Sequence, residues 1–560
     1  MVVRRGLIVG FRSLITAGKV QVEDKTPIHI ADLQSMTEEF SRRLRKKSGA
    51  HDDGASGGDS TVTAGVTPPT VEPEKPLEMN VPPSGVPESG GKRVRTKRVL
   101  TNVSTLGEIH VVDVDIPLLH AADSIFMTDC VSYREPETYQ ESLDCPEWKE
   151  WRRARKLERD ALNSRGVMRV VRTPMGVRPI KSRYVYKRKH NKDGSVKKYK
   201  ARLVALGFGQ VPGVDVFNTF APVVKSITVR LLLALAFIYN MHVHQLDVSN
   251  AFCYADIDGV VYMEPTPDFA LPPGHCFQLL KSLYGLRSSP RSWWKHLDKF
   301  IRSLHFVPCV LEPCLYHTTY KGERMYLTIY VDDILIVCAN KQYICEIKAK
   351  FCSRFDMSDM GELEHFLNIR VTRTRKYMQL DQTVYAEKVL NMFEAFLGPT
   401  QKMRKYPLPS NAVDLIAQEQ GELSEEQQRW LDNFPYRSLL GALLYLSMNT
   451  RPDMSYAVGV LSRFGSHPTV ATCKLMVYAL QYLRGTVHMG IRYSGSMFDL
   501  HVFTDADWAG DVITRRSTTG YIVFAAGGPI AWQSKLQTTV STSSMQSEYQ
   551  AIGPPAANTI

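Results

Sequence analysis

Leu327-Thr328-Ile329-Tyr330-Val331-Asp332-Asp333-Ile334-Leu335-Ile336-Val337 sets β-branched and aromatic residues on both sides of two adjacent acids. Such a pattern describes a hairpin of two buried strands with its carboxylates at a tight turn. Aspartate is a common turn residue, so the plain alternative is an acidic tip that merely stays wet. Against it, the flanks are apolar enough to bury the base of the turn, where two neighbouring charges repel. A bound divalent cation would relieve that repulsion. Upstream, the stretch MHVHQLDV ends a second apolar strand on Asp247, a third carboxylate able to meet the pair in space. Three such acids suit two metal ions roughly 3.5–4 Å apart, and oxygen ligands match magnesium. Spacing alone leaves the choice open.

Composition narrows the class. The chain has 560 residues, 44% of them hydrophobic and 10% aromatic, enough for several packed domains. Its net charge of +12 suits a polyanionic partner without choosing between nucleic acid and a membrane surface. Ten cysteines are scattered with no CxxC pair, which argues against a zinc ribbon and for buried thiols in a reducing compartment. The longest apolar run, Leu231–Tyr239, is far short of the roughly 20 residues of a membrane helix and reads as a buried helix. The N-terminal stretch MVVRRGLIVGFRSL is interrupted by Arg12 and lacks a small-residue cleavage site, so a signal peptide is not expected.

Residues 48–91 are rich in Gly, Ser, Pro and Thr, which describes a disordered linker. Basic clusters flank it, Arg42 to Lys47 before and Lys92 to Arg98 after, readable either as solvated charge or as a nuclear-localisation or nucleic-acid patch. Dense hydrophobic patterning starts near Glu135 and runs to about residue 395. A Pro- and Lys-containing seam follows, then helical patterning to about Leu483 and strand-like alternation from Leu500.

The segment from Tyr184 to Val204 reads as a β-hairpin around the polar turn Asn191-Lys192-Asp193-Gly194. It carries Lys187, Lys189, Lys200 and Arg202 on its strands. Alternation puts Lys200 and Arg202 on one face, opposite Leu203. A basic hairpin over an acidic site suits a triphosphate, although any single lysine there reads equally well as solvated or template-facing.

The series Lys200-Ala-Arg-Leu-Val-Ala205, Thr219-Phe-Ala-Pro-Val223, QLDVSNAF, Ser282-Leu-Tyr-Gly-Leu-Arg287 and YVDD at 330–333 resembles, in order, the copia-type retrotransposon reverse transcriptases. The resemblance implies an α/β (α+β) right-hand polymerase with fingers, palm and thumb, followed by a partial ribonuclease H-like domain. It implies domains at 1–130 (largely disordered, basic), 135–400 (reverse transcriptase), 401–495 (connection) and 496–560 (ribonuclease H-like). Asp247, Asp332 and Asp333 would be catalytic and metal-binding, with two Mg²⁺ ions or Mn²⁺ in their place. Lys187, Lys189, Lys200, Arg202, Phe252, Tyr284 and Arg287 would bind the nucleotide. Phe252 falls where the family places an aromatic steric gate against a ribose 2′-hydroxyl, with an ordinary core aromatic as the alternative. Gly285 would let the backbone approach template or nucleotide, and Gly361–Ile369 resembles a primer-holding turn. The implied partners are an RNA template, a DNA primer, an RNA–DNA hybrid, dNTPs and other polyprotein products, with no membrane. The implied setting is a cytoplasmic virus-like particle, the nucleus, or both. Four residues depart from the family's usual ones: Ser288 and Ser289 stand for Gln and Ala, Asn368 for Gly, and Ala255 for Gly.

Arg451-Pro-Asp-Met-Ser-Tyr-Ala-Val458 resembles the family's connection, with Thr472-Cys473 where His-Trp is usual. Thr504-Asp-Ala-Asp-Trp-Ala-Gly-Asp511 and Ser543-Ser-Met-Gln-Ser-Glu-Tyr549 resemble its ribonuclease H domain. There Asp505 and Glu548 match two metal-binding acids, while Asp507 and Asp511 read as turn residues. Gly553-Pro554-Pro555 is expected to break the last helix. With the third acid of the family not found, this module reads as truncated and inactive. Two functions follow: an RNA-directed DNA polymerase, or a catalytically silent remnant that only binds nucleic acid.

Overall fold

The computed structural model describes residues 134–190, 195–211, 213, 216–398, 402–418 and 422–559. The expected linker, the basic clusters and the N-terminal stretch lie outside these residues, as does the turn 191–194.

After a short helical turn at Glu141–Asp144, the described chain forms helix α1 (Trp148–Ser164), whose Trp151 and Leu162 are buried, and strand β1 (Met168–Arg172). Strands β2 (Ser182–His190) and β3 (Val196–Ala205) pair antiparallel as the expected hairpin. Helix α2 (Ser226–Ile238) is apolar nearly all round and buried, as the run Leu231–Tyr239 predicts. Next come β4 (His242–Val248), β5 (Asp256–Met263), β6 (His275–Lys281) and α3 (Ser289–Ser303). A meander of β7 (Val307–Pro308), β8 (Leu315–Tyr320), β9 (Glu323–Tyr330) and β10 (Asp333–Cys338) leads to α4 (Lys341–Arg354) and β11 (Met357–Glu362).

Six of these strands form one antiparallel sheet in the order β11-β4-β10-β9-β8-β7. Its centre, β10, is buried from Ile334 to Cys338 because both faces are covered. Leu335 and Val337 pack with α2 on one side, while Ile334 and Ile336 pack with Trp293, Leu297, Ile344 and Ile347 of α3 and α4 on the other. Period-2 alternation thus splits one apolar run between two cores.

Strands β12 (His365–Phe366) and β13 (Ile369–Arg373) are joined by Leu367 and Asn368, both at positive φ (48° and 57°). Asn tolerates this left-handed backbone, which explains why it can stand where glycine is usual. Ala255, by contrast, sits in extended backbone that demands no glycine (φ −91°). Strand β14 (Met378–Asp381) leads into helices α5 (Thr383–Met392), α6 (Tyr436–Asn449), α7 (Ser455–Ser462) and α8 (Val470–Gly485), which share one apolar core from Tyr385 to Leu483. Strand β15 (Gly490–Tyr493) then returns to pair with β14.

The chain closes with a three-stranded sheet, β16 (His501–Asp507), β17 (Thr518–Ala525) and β18 (Gly528–Leu536), and helix α9 (Ser544–Thr559). Contrary to expectation, Pro554 and Pro555 do not break α9, which runs on through both. Proline's φ is compatible with a helix, but each ring crowds the carbonyl four residues earlier and takes away the N–H that would bond it. The Thr504 hydroxyl replaces that bond for Ala551, donating to its carbonyl oxygen at 2.8 Å where Pro555 cannot. Val523, Ala525, Ile530 and Ala531 of this sheet join the core beneath α2.

The architecture is therefore mixed helix and strand, as expected. Among the described residues no helix is long and apolar enough to cross a membrane. All nine described cysteines are free; five are buried, but Cys345 and Cys352 lie exposed on α4, so not every thiol is a core residue.

Candidate active site

The acid pair sits where the sequence puts it. Tyr330 and Asp333 are cross-strand partners, so Val331 and Asp332 form a two-residue turn. Val331 adopts φ 56°, an outlier for a β-branched residue at a place where glycine is the usual choice. Two contacts hold this strained turn. The indole N–H of Trp293 donates to the Val331 carbonyl oxygen at 2.7 Å, and the Val248 N–H donates to that of Asp332 at 3.0 Å. Strain kept in place by such contacts is typical of functional sites.

Asp247 and Asp333 are direct Cα partners between β4 and β10. Gln245, two residues before Asp247 and on the same strand face, donates its amide to Asp333 at 2.8 Å. Burial, and then the charge of Asp247, raises the Asp332 carboxyl. Asp333 is pushed up to about 6 by burial, with Asp332 and Asp247 adding to the effect and the Gln245 bond opposing it. The three acids therefore share one electrostatic environment, as expected.

The basic hairpin faces them. Ala201, Leu203 and Ala205 point into the core with Tyr184 and Tyr186, leaving Lys200 and Arg202 on the opposite face. Register places Lys187 across from Lys200 and Lys189 across from Lys198. Like charges directly opposite destabilise a sheet, so this face is built against its own stability. Lys200 falls to about 8, mainly through burial and then through Arg202 and Lys189, with Glu158 and Asp247 pulling the other way. Both Lys200 and Arg202 also bear on Asp332, and Lys189 bears on Asp333.

Arg202 stacks over the Tyr284 ring at 4.6 Å, and Tyr284 meets Phe252 edge-on at 4.8 Å. A chain of contacts thus links the hairpin to the short turn that follows Asp247, and Phe252 is 9% exposed. Arg287 turns elsewhere: its guanidinium donates to the Phe208 carbonyl at 3.4 Å and its N–H to Gln210 at 2.9 Å.

Gly285 needs correcting. Its backbone (φ 88°) closes on the protein itself, since a Cβ there would lie 2.1 Å from the Ala205 carbonyl oxygen. Gly207 meets Gly285 from the other side with the same intolerance, at 2.2 Å. This contact seats the end of β3 on the Leu283–Arg287 turn, and the Tyr284 carbonyl accepts the Ala205 N–H at 2.8 Å. Ser289 caps that turn by accepting from the Leu283 N–H and donating to its carbonyl at 2.7 Å.

Sequence reasoning gave no role in the site to Gln245, Trp293 or Glu158. Period-2 alternation from Asp247 points to Gln245. No local signal marks Glu158, a buried acid on α1 that accepts the Leu203 N–H at 3.2 Å, its carboxyl raised by burial.

Among the described residues, no group of three or more His, Cys, Asp or Glu side chains forms a ready-made metal cage. The acids nevertheless fit magnesium. Its protein sites commonly offer one or two carboxylates and leave the remaining positions to water and substrate phosphates. The hard oxygens of Asp247 and Asp332 supply that set, and the Asp332 carboxyl is raised by burial and then by the Asp247 charge, a cost that a bound cation would relieve.

A second acidic pair lies further on. Asp505 on β16 and Glu548 on α9 come together, and the Glu548 carboxyl is raised by burial, by the Asp505 charge and by a hydrogen bond shared with it. Asp507 also lies near Asp505 and is raised by burial. Asp511 is not a solvated turn residue: it is buried and paired with Arg463 at 3.0 Å.

Residues 165–402 match the family model described as reverse transcriptase (RNA-dependent DNA polymerase). The retrovirus-related Pol polyprotein from transposon TNT 1-94 of Nicotiana tabacum is 37% identical over 423 residues, 75% of this chain and 32% of that protein. The one from transposon RE1 of Arabidopsis thaliana is 36% identical over 68% of this chain and 25% of its own length. An uncharacterized mitochondrial protein of Arabidopsis thaliana is 36% identical over 42% of this chain and 92% of that protein. The chain thus spans a third or less of the Pol polyproteins it matches. By these likenesses the chain belongs to the copia-type retrotransposon Pol family and contains its reverse-transcriptase domain.

Proposed function

We propose that the chain is an RNA-directed DNA polymerase that joins a dNTP to a primer 3′-hydroxyl, with Asp247 and Asp332 as principal metal ligands and Asp333 completing the set. The observation that carries this reading is the strained turn. It presents Asp332 beside Asp247, opposite a hairpin face of Lys187, Lys200 and Arg202. Two divalent cations, Mg²⁺ or Mn²⁺, held by these acids would lower the pKa of the 3′-hydroxyl and neutralise the leaving pyrophosphate.

The chain's own groups supply the rest. Lys200 and Arg202 bind the triphosphate, with Lys187 and Lys189 extending the positive field. Tyr284 holds Arg202 over the site and backs the Phe252 ring, which crowds a ribose 2′-hydroxyl and so selects deoxynucleotides. Arg287 secures the backbone around Phe208. In this reading fingers, palm and thumb occupy 135–400, the connection 401–495 and a ribonuclease H-like part 496–560. Template RNA, primer DNA and their hybrid are its partners, in a cytoplasmic virus-like particle or the nucleus. Asp505 and Glu548 belong to the ribonuclease H-like part, and cleavage of a labelled hybrid that is lost in Asp505→Asn would show it active.

The test is magnesium-dependent extension of oligo(dT) on poly(rA) by the purified chain. Incorporation abolished by Asp332→Asn is the expected result. Equal incorporation by that variant, or none by the parent, refutes the assignment.

A further inference from the structure

Glu158 stands in the middle of the stripe that α1 buries. The other members are Trp151, Ala154, Arg155 and Leu162, and Glu158 itself is 7% exposed. Arg155 does not answer its charge, being engaged by Ser142, Tyr186 and Asp268. The Glu158 carboxylate instead accepts the Leu203 N–H at 3.2 Å and so ties β3 to α1. A neutral amide would supply the same acceptor at a smaller cost of desolvation. An acid in this place therefore needs a use for its charge.

The use lies on β3. Lys200 and Arg202 leave the strand on one face, Lys200 lies directly across from Lys187, and the buried Nε of Arg202 has no hydrogen-bond partner. Like charges packed in this way repel. Burial, then Arg202 and Lys189, bring Lys200 down to about 8, and Glu158 and Asp247 are the charges that oppose them. In return Arg202, Lys200 and Arg165 favour the charged form of Glu158 against its burial. The Cys253 thiol, next to Phe252, is raised by burial and then by the Glu158 charge, which puts this acid beside the turn that follows Asp247. In the polymerase reading Asp247 is committed to a metal. Glu158 is committed to the cations around it.

We propose that Glu158 is a positioning residue for nucleotide binding: its buried carboxylate is the fixed counter-charge that seats β3 on α1 and keeps the Lys200–Arg202 face cationic before a triphosphate arrives. Substrate phosphates would supply negative charge only while bound, whereas Glu158 supplies it permanently. The proposal rests on the polymerase reading for the nucleotide, but not for the effect of the acid on the basic face.

Two variants of the full chain separate the charge from the hydrogen bond. Glu158→Gln keeps an acceptor for Leu203 and loses the charge, while Glu158→Asp keeps the charge and is one methylene short of the bond. Binding of inorganic tripolyphosphate is measured by titration calorimetry without divalent metal, at fixed salt, from about pH 6.5 to about pH 9. The parent should lose affinity as pH passes about 8. In Glu158→Gln the loss should begin roughly half a unit or more earlier, with affinity near that pH weakened roughly threefold. Glu158→Asp should follow the parent. Lys200→Arg added to Glu158→Gln should remove the early loss, because arginine stays charged. In primer extension Glu158→Gln should raise the KM for dNTP by a larger factor than it lowers kcat.

A parent-like curve in Glu158→Gln, or an early loss confined to Glu158→Asp, overturns the proposal and leaves Glu158 a hydrogen-bond cap on β3. So does a parent whose affinity is flat through pH 8, or a Glu158→Gln enzyme whose kcat falls at unchanged KM. The binding assay needs no incorporation. An early loss in Glu158→Gln, in a chain that extends no primer, therefore refutes the polymerase reading and leaves the counter-charge standing.

Discussion

The indole of Trp293, on α3, holds the carbonyl oxygen of Val331 at 2.7 Å, and Val331 is the strained residue immediately before Asp332. One helix side chain thereby pins the peptide that aims a catalytic carboxylate. Trp293→Phe keeps most of the ring but removes the donor. The expected stability loss is about 1 kcal/mol in urea unfolding. Relaxation of the turn should cost roughly tenfold or more in kcat with little change in KM. Unchanged kcat would show that the turn holds without the indole.

Asp333 offers a stability test with a defined sign. Its folded-state pKa, about 6, lies above the usual aspartate value of 3.8. The stabilisation linked to its proton is complete below the unfolded value and lost as pH rises through about 6. At pH 7.5 the charged, buried group therefore weighs against folding. Asp333→Asn should raise the melting temperature at pH 7.5 by an amount equivalent to about 1–3 kcal/mol, and should have little effect at pH 4. Primer extension should fall in the same variant.

Lys200 titrates at about 8, so its charge, and with it triphosphate binding, should fade as pH rises above that value. The KM for dNTP should climb on the alkaline side. Lys200→Arg, which stays charged, should flatten that limb. An identical alkaline rise in both proteins would remove Lys200 from triphosphate binding.

Gly285→Ala tests a packing claim. The added Cβ would press on the Ala205 carbonyl at 2.1 Å, with the backbone at φ 88°. The expected loss is about 1–3 kcal/mol or more of stability, read by denaturant unfolding, because main chain cannot swing aside. Parent-like unfolding would mean that the Leu283–Arg287 turn can shift off β3.

Much of the site is legible in the sequence because it is written in short-range patterns. The apolar residues on both sides of Asp332 and Asp333 describe a hairpin of two buried strands, while the pairing that puts Asp333 beside Asp247 came only with the structure. Alternation also separates Lys200 from Leu203. The reading fails where partners are distant in the chain. Gly285 is free to bend in any sequence reading, but its need for glycine comes from Ala205, eighty residues earlier. Pro554 and Pro555 read as a helix stop until Thr504 supplies the missing donor.

By itself, then, the sequence determined which strands are buried, which residues carry charge and which acids stand at a turn, since each depends on neighbours one to four residues away. Only the tertiary structure decided that Trp293 pins Val331, that Arg202 rests on Tyr284 and that Asp511 turns from solvent to Arg463. Those contacts join segments tens of residues apart, and periodicity carries no information about which distant segment will cover a given face.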